Sequence, residues 1–209
     1  MTCNSSAEQL SCTSCVLHTQ GRTQVVPGHG SSDAKIAFVG EAPGADEDRE
    51  GLPFIGKAGE RFNQQLEAMG IKREDCWIDN RVKCRPPNNQ LRAYPDAVVK
   101  CPQLWLMPTL ASIRPHVVVT LGATAGDLWF PGIKATALSQ LARAVTTDYV
   151  TGIVINDGQV IRKWSYVVVG AFHPSFALRH GPFPNSVDSS IMASMARASY
   201  YSGLMELQR

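Results

Sequence analysis

The feature that most constrains this chain is a short apolar run that leads straight into a loop rich in glycine and proline. The run is Ile36-Ala37-Phe38-Val39, and the loop extends from Gly40 to Gly56. A brief apolar run bounded by turn residues is typical of a buried strand, and ligands bind in the loops that follow such strands in α/β sheets. This loop carries several carboxylates and no lysine, so its composition is not that of a phosphate-binding loop.

Predicted strands and helices alternate along the chain. The expected strands cover 35–40, 76–80, 117–122 and 166–169, the expected hairpin covers 153–161, and the expected helices cover 57–69, 95–113, 123–129 and 187–207. This alternation predicts an α/β fold whose parallel sheet is covered by helices on both faces. Because the carboxyl ends of parallel strands line one crevice, we expect the loop from Glu41 to Phe54 to meet Asn80 and His173 there.

Composition sets broad limits on location and partners. The formal net charge of the 209 residues is +2, which is too small to indicate nucleic-acid binding by itself, although several cations cluster between Lys83 and Lys100. No run of eighteen apolar residues is present, so we expect no membrane span. The first eight residues lack the basic and apolar segments of a secretory signal, which predicts a cytoplasmic protein.

Four of the six cysteines form a pattern typical of metal sites. Cys12 and Cys15 are separated by two residues, and Cys84 and Cys101 by sixteen. Thiolates from two such segments suit either a tetrahedral zinc or a four-iron cluster, and a C-x-x-C pair also occurs in redox dithiols. The wide second spacing favours an iron–sulfur cluster but does not decide between the metals. Cys76, within an apolar strand, is predicted to be a core residue.

Several motifs follow one another in order along the chain. They are Gly40–Gly44 with Gly51–Gly59, then Asn80–Asn89, Arg114–Gly122 and Phe172–Arg179. Together they resemble the motifs of family 4 uracil-DNA glycosylases, and the four paired cysteines fall where that family holds its [4Fe-4S] cluster. The resemblance covers roughly residues 10–130 and 165–182.

The resemblance implies a single three-layer α/β/α domain over residues 1–209 that excises uracil from DNA and works as a monomer. It also implies a [4Fe-4S] cluster on Cys12, Cys15, Cys84 and Cys101. Residues 131–165 depart from the family pattern, and we expect an inserted hairpin near 150–165 and an added C-terminal helix. A related branch that crosslinks to abasic DNA carries glutamine after the first Gly-Glu; Ala42 in that position disfavours crosslinking.

Roles for individual residues follow from the same resemblance. The catalytic set is Glu41, Glu47, Asn89 and His173. The substrate-binding set is Gly40, Ala42, Phe54, Asn80 and Ser175. The DNA-binding set is Lys83, Arg85, Leu178 and Arg179.

Three of these side chains suit the recognition and release of uracil. The target base must leave the stack before its glycosidic bond can be reached, and the ring of Phe54 can stack on the flipped base. The carboxamide of Asn80 can accept from uracil N3–H and donate to O4, a pattern that cytosine reverses. A donor on His173 can stabilise the negative charge that develops on uracil O2.

Other members of the sets suit the remaining steps. Glu41 and Glu47 can offset the positive charge on the sugar or orient the attacking water, and Asn89 can hold that water or a phosphate. The loop that carries Leu178 and Arg179 is the expected element to enter the duplex.

Two further functions share parts of this pattern. An iron–sulfur DNA-binding accessory module that has lost catalysis would have the same cysteines, but it would not need Glu41, Asn80 and His173 intact. A nucleotide-binding α/β protein with a zinc-stabilised arm would need a G-x-G-x-x-G motif or a complete G-x-x-x-x-G-K-[ST] phosphate loop, and neither is present.

Overall fold

The structure is a computed structural model that describes residues 7–131, 150–156 and 159–207. The strands are β1 His29–Gly30, β2 Ile36–Gly40, β3 Trp77–Asn80, β4 Val117–Leu121, β5 Val150–Asn156 and β6 Gln159–Ala171. The helices are α1 Ala7–Leu10, α2 Ala45–Glu50, α3 Lys57–Ala68, α4 Pro95–Cys101, α5 Met107–Ile113, α6 Ala123–Gly126, α7 Pro174–Leu178 and α8 Ser186–Leu207. Most of the segment that departs from the family pattern, residues 132–149, lies outside the described residues.

The strands form one mixed sheet with the order β1-β3-β2-β4-β6-β5. The four inner strands run parallel, with Phe38 opposite both Ile78 and Val119. The two edge strands, β1 and β5, pair antiparallel with their neighbours. The predicted mostly parallel sheet is therefore confirmed.

Alternate residues of the inner strands bury their side chains on opposite faces of the sheet. Phe38 and Val169 pack with Phe62 of α3 and Ile191 of α8 on one face. The alternate positions of the same strands, including Val39, Val118 and Val168, pack with Leu110 of α5 on the other face. Each face of the sheet is thus closed by helices, which confirms the three-layer α/β/α prediction.

The helix expected over 95–113 is interrupted in its middle. It consists of α4, a π-helical turn at Pro102–Leu106, and α5. Proline has no backbone N–H and its ring clashes with the carbonyl four residues earlier, so Pro102 and Pro108 disrupt the regular ladder. A π turn is a common way to accommodate such a disruption.

Strand β6 is longer than the sequence predicts. The second arm of the expected hairpin and the expected strand at 166–169 are joined in one strand of thirteen residues, whose first part pairs with β5. The residues between the two predicted segments include no glycine or proline, so no turn interrupts the extended chain. Trp164 and Tyr166 share a face there, with stacked rings 5.4 Å apart.

The C-terminal helix α8 belongs to the sheet-covering layer rather than extending beyond it. Ile191, Met195 and Ala198 are buried in the same core cluster as Phe62 and Val169. No helix in the described ranges is both long and apolar enough to span a membrane.

Candidate active site

A cavity of about 410 Å³ opens at the carboxyl edge of the parallel strands. It is lined by nine of the residues that the sequence singles out: Glu41, Ala42, Glu47, Phe54, Asn80, Asn89, His173, Ser175 and Arg179. These residues follow β2, β3 and β6, so the structure brings together the segments that sheet topology predicts. Gly40, Lys83, Arg85 and Leu178 do not line the cavity.

The ring of Phe54 forms one wall of the cavity. Its backbone adopts a left-handed φ of 54°, and its ring centroid lies 5.3 Å from that of Phe62 and 5.8 Å from that of His173. Gly40 lies directly beside it, because a Cβ atom at this position would come within 2.5 Å of both Phe54 Cζ and Asn80 Oδ1. Gly40 therefore shapes the site by leaving room for its neighbours.

The carboxylate of Glu47 holds the backbone of the loop that presents Phe54. Its Oε1 accepts from the N–H groups of Ile55 and Gly56 over 3.0 and 2.8 Å, and its Oε2 accepts from Gly44 N–H over 3.0 Å. The residue is buried. Three charge-assisted hydrogen bonds of this kind are strong, so Glu47 stabilises the left-handed turn at Phe54.

Asn80 ends β3 with its side chain at the floor of the cavity. Its backbone is held by buried neighbours, because its N–H donates to Asp79 Oδ1 over 2.7 Å and its carbonyl accepts from Lys83 Nζ over 2.9 Å. Among the described residues its carboxamide has no hydrogen-bond partner. The backbone is thus fixed while the carboxamide stays available to a ligand.

Lys83 is not available to DNA, so its predicted role as a DNA contact is wrong. Its side chain is 1% exposed and forms an ion pair with Asp79, which is equally buried. The same ammonium group donates to the carbonyl of Asn80. A buried cation needs such partners to offset its desolvation, and they orient it into the protein below the site.

His173 precedes α7 and accepts at its Nδ1 atom. The backbone N–H of Ser175 donates to Nδ1 over 3.2 Å, and the hydroxyl of Ser175 lies 2.8 Å from the same atom. A backbone N–H can only donate, so Nδ1 carries no proton. In the neutral ring the proton therefore resides on Nε2.

The surroundings of His173 favour this neutral form. Burial lowers the pKa of His173 to about 4; the positive charge of Arg179 acts in the same direction, and the carboxylate of Glu47 opposes both. At neutral pH the side chain is an uncharged imidazole with one N–H donor.

Glu41 and Asn89 line the cavity on the side of the segment that follows β3. The carbonyl of Glu41 accepts from Val82 N–H over 3.0 Å, which continues the β2–β3 pairing beyond the strands. Asn88 and Asn89 both adopt left-handed backbone conformations, with φ values of 53° and 57°. The Nε of Arg85 donates to Asn89 Oδ1 over 3.2 Å, so Arg85 acts on the site through Asn89.

A buried ion pair supports the end of α7 and the loop that follows it, where Leu178 and Arg179 lie. Arg61 of α3 donates to Asp188 of α8 over 2.9 Å and to the carbonyl of Gly181 over 2.7 Å. Leu178 and Arg179 are themselves exposed. This pair is not predictable from the sequence, because its members lie 127 residues apart and each lies on a helix whose pattern is otherwise ordinary.

The four paired cysteines line one small pocket beside this site, together with Arg22 and Val82. Three of the sulfur atoms accept hydrogen bonds. The donors are Arg22 Nη1 to Cys84 at 2.9 Å, Trp105 Nε1 to Cys12 at 3.3 Å, and Lys83 N–H to Cys101 at 3.4 Å. Within the described residues, no three His, Cys, Asp or Glu side chains form a single-ion site. Cys76 is buried in the main core, as predicted.

Two parts of the cavity wall were not assigned from the sequence. One is the loop Gly122–Thr124 after β4, where a Cβ on Gly122 would lie 3.1 Å from His173 Cβ. The other is Arg92, in a 3-10 turn at Leu91–Ala93. A glycine directly after a buried strand was an available signal for the first, and the cluster of cations between Lys83 and Lys100 was one for the second.

Comparison with known proteins agrees with this geometry. A family model described as the uracil DNA glycosylase superfamily matches residues 27–189. A type-4 uracil-DNA glycosylase of Thermotoga maritima is 40% identical over 169 residues, covering 81% of this chain and 79% of the relative. One of Sulfurisphaera tokodaii is 46% identical, covering 82% of this chain and 73% of the relative. One of Archaeoglobus fulgidus is 47% identical, covering 59% of this chain and 60% of the relative. The chain therefore belongs to the type-4 family of the uracil-DNA glycosylase superfamily.

Proposed function

We propose that this protein removes uracil from DNA as a monofunctional glycosylase, hydrolysing the N-glycosidic bond and leaving an abasic site for base excision repair. One observation carries the proposal: a neutral His173 with its proton on Nε2 shares a cavity with Phe54 and with the free carboxamide of Asn80. The relatives described above are type-4 uracil-DNA glycosylases, which supports the same reaction.

Recognition of uracil falls to Asn80 and Phe54. The ring of Phe54 stacks on the flipped base, an interaction worth about 1–3 kcal/mol. The Asn80 side chain accepts from N3–H and donates to O4 of uracil. Its backbone is fixed by Asp79 and Lys83, which holds the base of the side chain in place. In the orientation that reads uracil, the carboxamide leaves the polar groups of cytosine unpaired in the pocket.

Departure of the base is assisted by His173. As the glycosidic bond breaks, negative charge accumulates on the uracil ring, and the Nε2–H of a neutral imidazole donates to O2. A preorganised donor of this kind contributes about 3 kcal/mol to the transition state. The ring needs no reorientation during the reaction, because both polar groups of Ser175 already hold Nδ1.

Water attacks the sugar from the side of Glu41 and Asn89. Glu41 is the proposed carboxylate that orients the water and offsets positive charge on the sugar, and Asn89 is the proposed second contact. Glu47 contributes differently from the sequence-based expectation, because its oxygens are occupied by three backbone N–H groups. Its proposed role is to position Phe54 and to add negative charge near the sugar.

The residues around the cysteine pocket fit a [4Fe-4S] cluster held by Cys12, Cys15, Cys84 and Cys101. Thiolates of iron–sulfur sites accept N–H hydrogen bonds, and Arg22, Trp105 and the backbone of Lys83 supply such donors. The cluster would supply a structural crosslink between the N-terminal segment and the segment that follows β3. That second segment carries Asn89 and Arg92 to the cavity.

A single chain provides every residue of the proposed site, so we propose a monomer acting on uracil-containing DNA. The exposed loop with Leu178 and Arg179 is the proposed element that enters the space of the flipped nucleotide. The guanidinium of Arg179 lies 5.2 Å from the ring centroid of Phe176, which holds it beside the mouth of the cavity.

The test is single-turnover cleavage of a labelled oligonucleotide that carries one uracil, in single- and double-stranded form, followed by alkali. Matched oligonucleotides with thymine or cytosine are the controls. We expect alkali-labile product from uracil only, and about four iron and four sulfide per chain. Lack of product from the iron-loaded protein on both forms would contradict the proposal and favour the inactive accessory module.

Two variants separate the proposed site from general damage to the fold. His173→Ala should lower the cleavage rate by about a hundredfold, from the loss of about 3 kcal/mol, while leaving binding to uracil-DNA largely intact. His180→Ala is the matched control, because His180 is exposed, lies near the same helix and does not line the cavity. Equal losses in the two variants would remove His173 from the chemistry.

A further inference from the structure

We propose that Arg92 forms a binding site for a DNA backbone phosphate at the mouth of the cavity, separate from the contact made by Arg179. The inference rests on the proposed function, since it concerns how the same cavity holds its DNA. It assigns a ligand, the phosphodiester group, to a side chain that neither the motifs nor the cysteine pattern singles out.

The position of Arg92 is the first support. Its side chain is exposed and lines the cavity together with Asn89 and Pro86. Among the ion pairs of the described residues, none involves Arg92. An exposed guanidinium at the mouth of a cavity, with no carboxylate partner in that part of the chain, is free to bind an anion.

The backbone beneath Arg92 is anchored. Leu91, its neighbour in the 3-10 turn, is 1% exposed and packs with Val82, Ala97 and Cys84. The turn is thus attached to the same core that holds the cysteine pocket. A phosphate contact from this turn therefore loses little backbone entropy on binding.

A second donor accompanies the guanidinium. The Oδ1 atom of Asn89 accepts from Arg85 Nε, so the amide N–H₂ of Asn89 remains as its free polar group in the cavity wall. Asn88 and Asn89 in succession adopt left-handed conformations, which cost about 1–3 kcal/mol each where the surroundings do not compensate. Backbone strain at Asn88 and Asn89 fits a segment whose conformation is set by the groups that it presents to the cavity. The guanidinium of Arg92 and the amide N–H₂ of Asn89 are both hydrogen-bond donors, which suits a phosphate oxygen.

The sheet separates Arg92 from Arg179. Arg92 follows β3 and Arg179 follows β6, and β2 and β4 lie between these two strands. With neighbouring strands about 4.8 Å apart, the ends of β3 and β6 are about 14 Å apart. The two cations thus reach the same cavity on segments that leave the sheet at different strand ends, an arrangement that suits phosphates on either side of a flipped nucleotide.

Binding measured against salt concentration tests the inference. The probe is an oligonucleotide with 2′-fluoro-2′-deoxyuridine, which resists cleavage, and the proteins are wild type, Arg92→Ala, Arg92→Lys and Lys72→Ala. Lys72 is an exposed cation before β3, at the opposite edge of the sheet.

Each phosphate contact adds about 0.7–0.9 to the slope of log affinity against log salt. We expect Arg92→Ala to reduce the slope by about this amount, Arg92→Lys to keep it, and Lys72→Ala to match wild type.

Replacing single phosphates by neutral methylphosphonates then locates the contact. We expect one position where the replacement weakens wild-type binding but has no further effect on Arg92→Ala, because the charge pair has already been lost. An unchanged salt slope, or losses that add at every position, would overturn the inference. Failure of wild type to release uracil from the cleavable oligonucleotide would instead overturn the proposed function, so the two failures are distinguishable.

Discussion

The backbone N–H of Ser175 donates to Nδ1 of His173 over 3.2 Å, at the first turn of α7. Because this donor is part of the main chain, it assigns the tautomer whatever the side chain of residue 175 is. The proton of the neutral ring is then on Nε2, the atom that the proposed mechanism uses to stabilise uracil O2.

The first prediction concerns pH. His173 has a pKa lowered to about 4 from the ordinary 6.5, so it stays neutral across the physiological range. The single-turnover rate should show no His173 limb near pH 6.5; any change due to His173 should appear only near pH 4, where a proton on Nδ1 would displace the hydrogen bond from Ser175 N–H. The unfolded chain binds a proton at a higher pH than the folded one, so the free energy of unfolding should fall as the pH drops from about 6.5 to 4. A rate profile with its midpoint near 6.5 that disappears in His173→Ala would contradict the assignment.

A second prediction concerns the hydroxyl of Ser175. Ser175→Ala removes one of the two groups near Nδ1 but keeps the main-chain donor. The loss of one hydrogen bond costs about 1 kcal/mol, so the cleavage rate should fall about fivefold while the tautomer is retained. Nitrogen-15 NMR of the imidazole should still show a protonated Nε2. A shift of the proton to Nδ1 would show that the hydroxyl, and not the backbone, sets the tautomer.

The third prediction tests whether Glu47 acts by holding the backbone of its loop or directly on the substrate. Glu47→Gln places an amide N–H₂ against at least one of the three N–H groups that Glu47 now accepts from, which should cost about 1–3 kcal/mol of folding free energy. Urea denaturation measures this loss. Asp46→Asn on the same helix is the control, because Asp46 pairs with Arg49 at the surface, where such pairs contribute little. Wild-type stability of Glu47→Gln with impaired cleavage would return Glu47 to a direct role in catalysis.

A fourth prediction tests whether Asn80 distinguishes uracil from cytosine. Asn80→Asp can no longer donate to uracil O4, so the cleavage rate on uracil should fall about tenfold to a hundredfold through the unpaired contact. The ratio of cytosine to uracil excision should rise, measured on the matched oligonucleotides. Unchanged kinetics would place Asn80 outside the recognition site.

The fifth prediction concerns the buried pair behind the DNA loop. Asp188→Ala leaves the buried guanidinium of Arg61 without its carboxylate, which should lower the free energy of unfolding by about 3–5 kcal/mol. The combined change Arg61→Met with Asp188→Leu should recover part of that loss, because no uncompensated charge remains, while Gln65 and the Asn185 N–H still lose their acceptor. A loop held by this pair should nevertheless be looser in the double variant, so limited proteolysis near Gly181 should increase. Wild-type resistance to proteolysis would show that the pair serves only the core.

Local chemistry determined much of this molecule from the sequence alone. Short apolar runs with turn residues at their ends placed β2, β3 and β4 correctly, and the rule for parallel strands placed the loop after β2 with Asn80 and His173 in one cavity. These inferences succeed because side-chain period, turn residues and strand ends act over a few neighbouring residues.

The tertiary structure decided which charged side chains are buried, against which partners, and which predicted segments join. It buried Lys83 against Asp79, united two predicted segments into β6, occupied Glu47 with backbone N–H groups and paired Arg61 with Asp188. The physical reason is desolvation: whether a charged side chain faces solvent or the interior depends on the partners that offset its burial. That burial is fixed only when the layers pack.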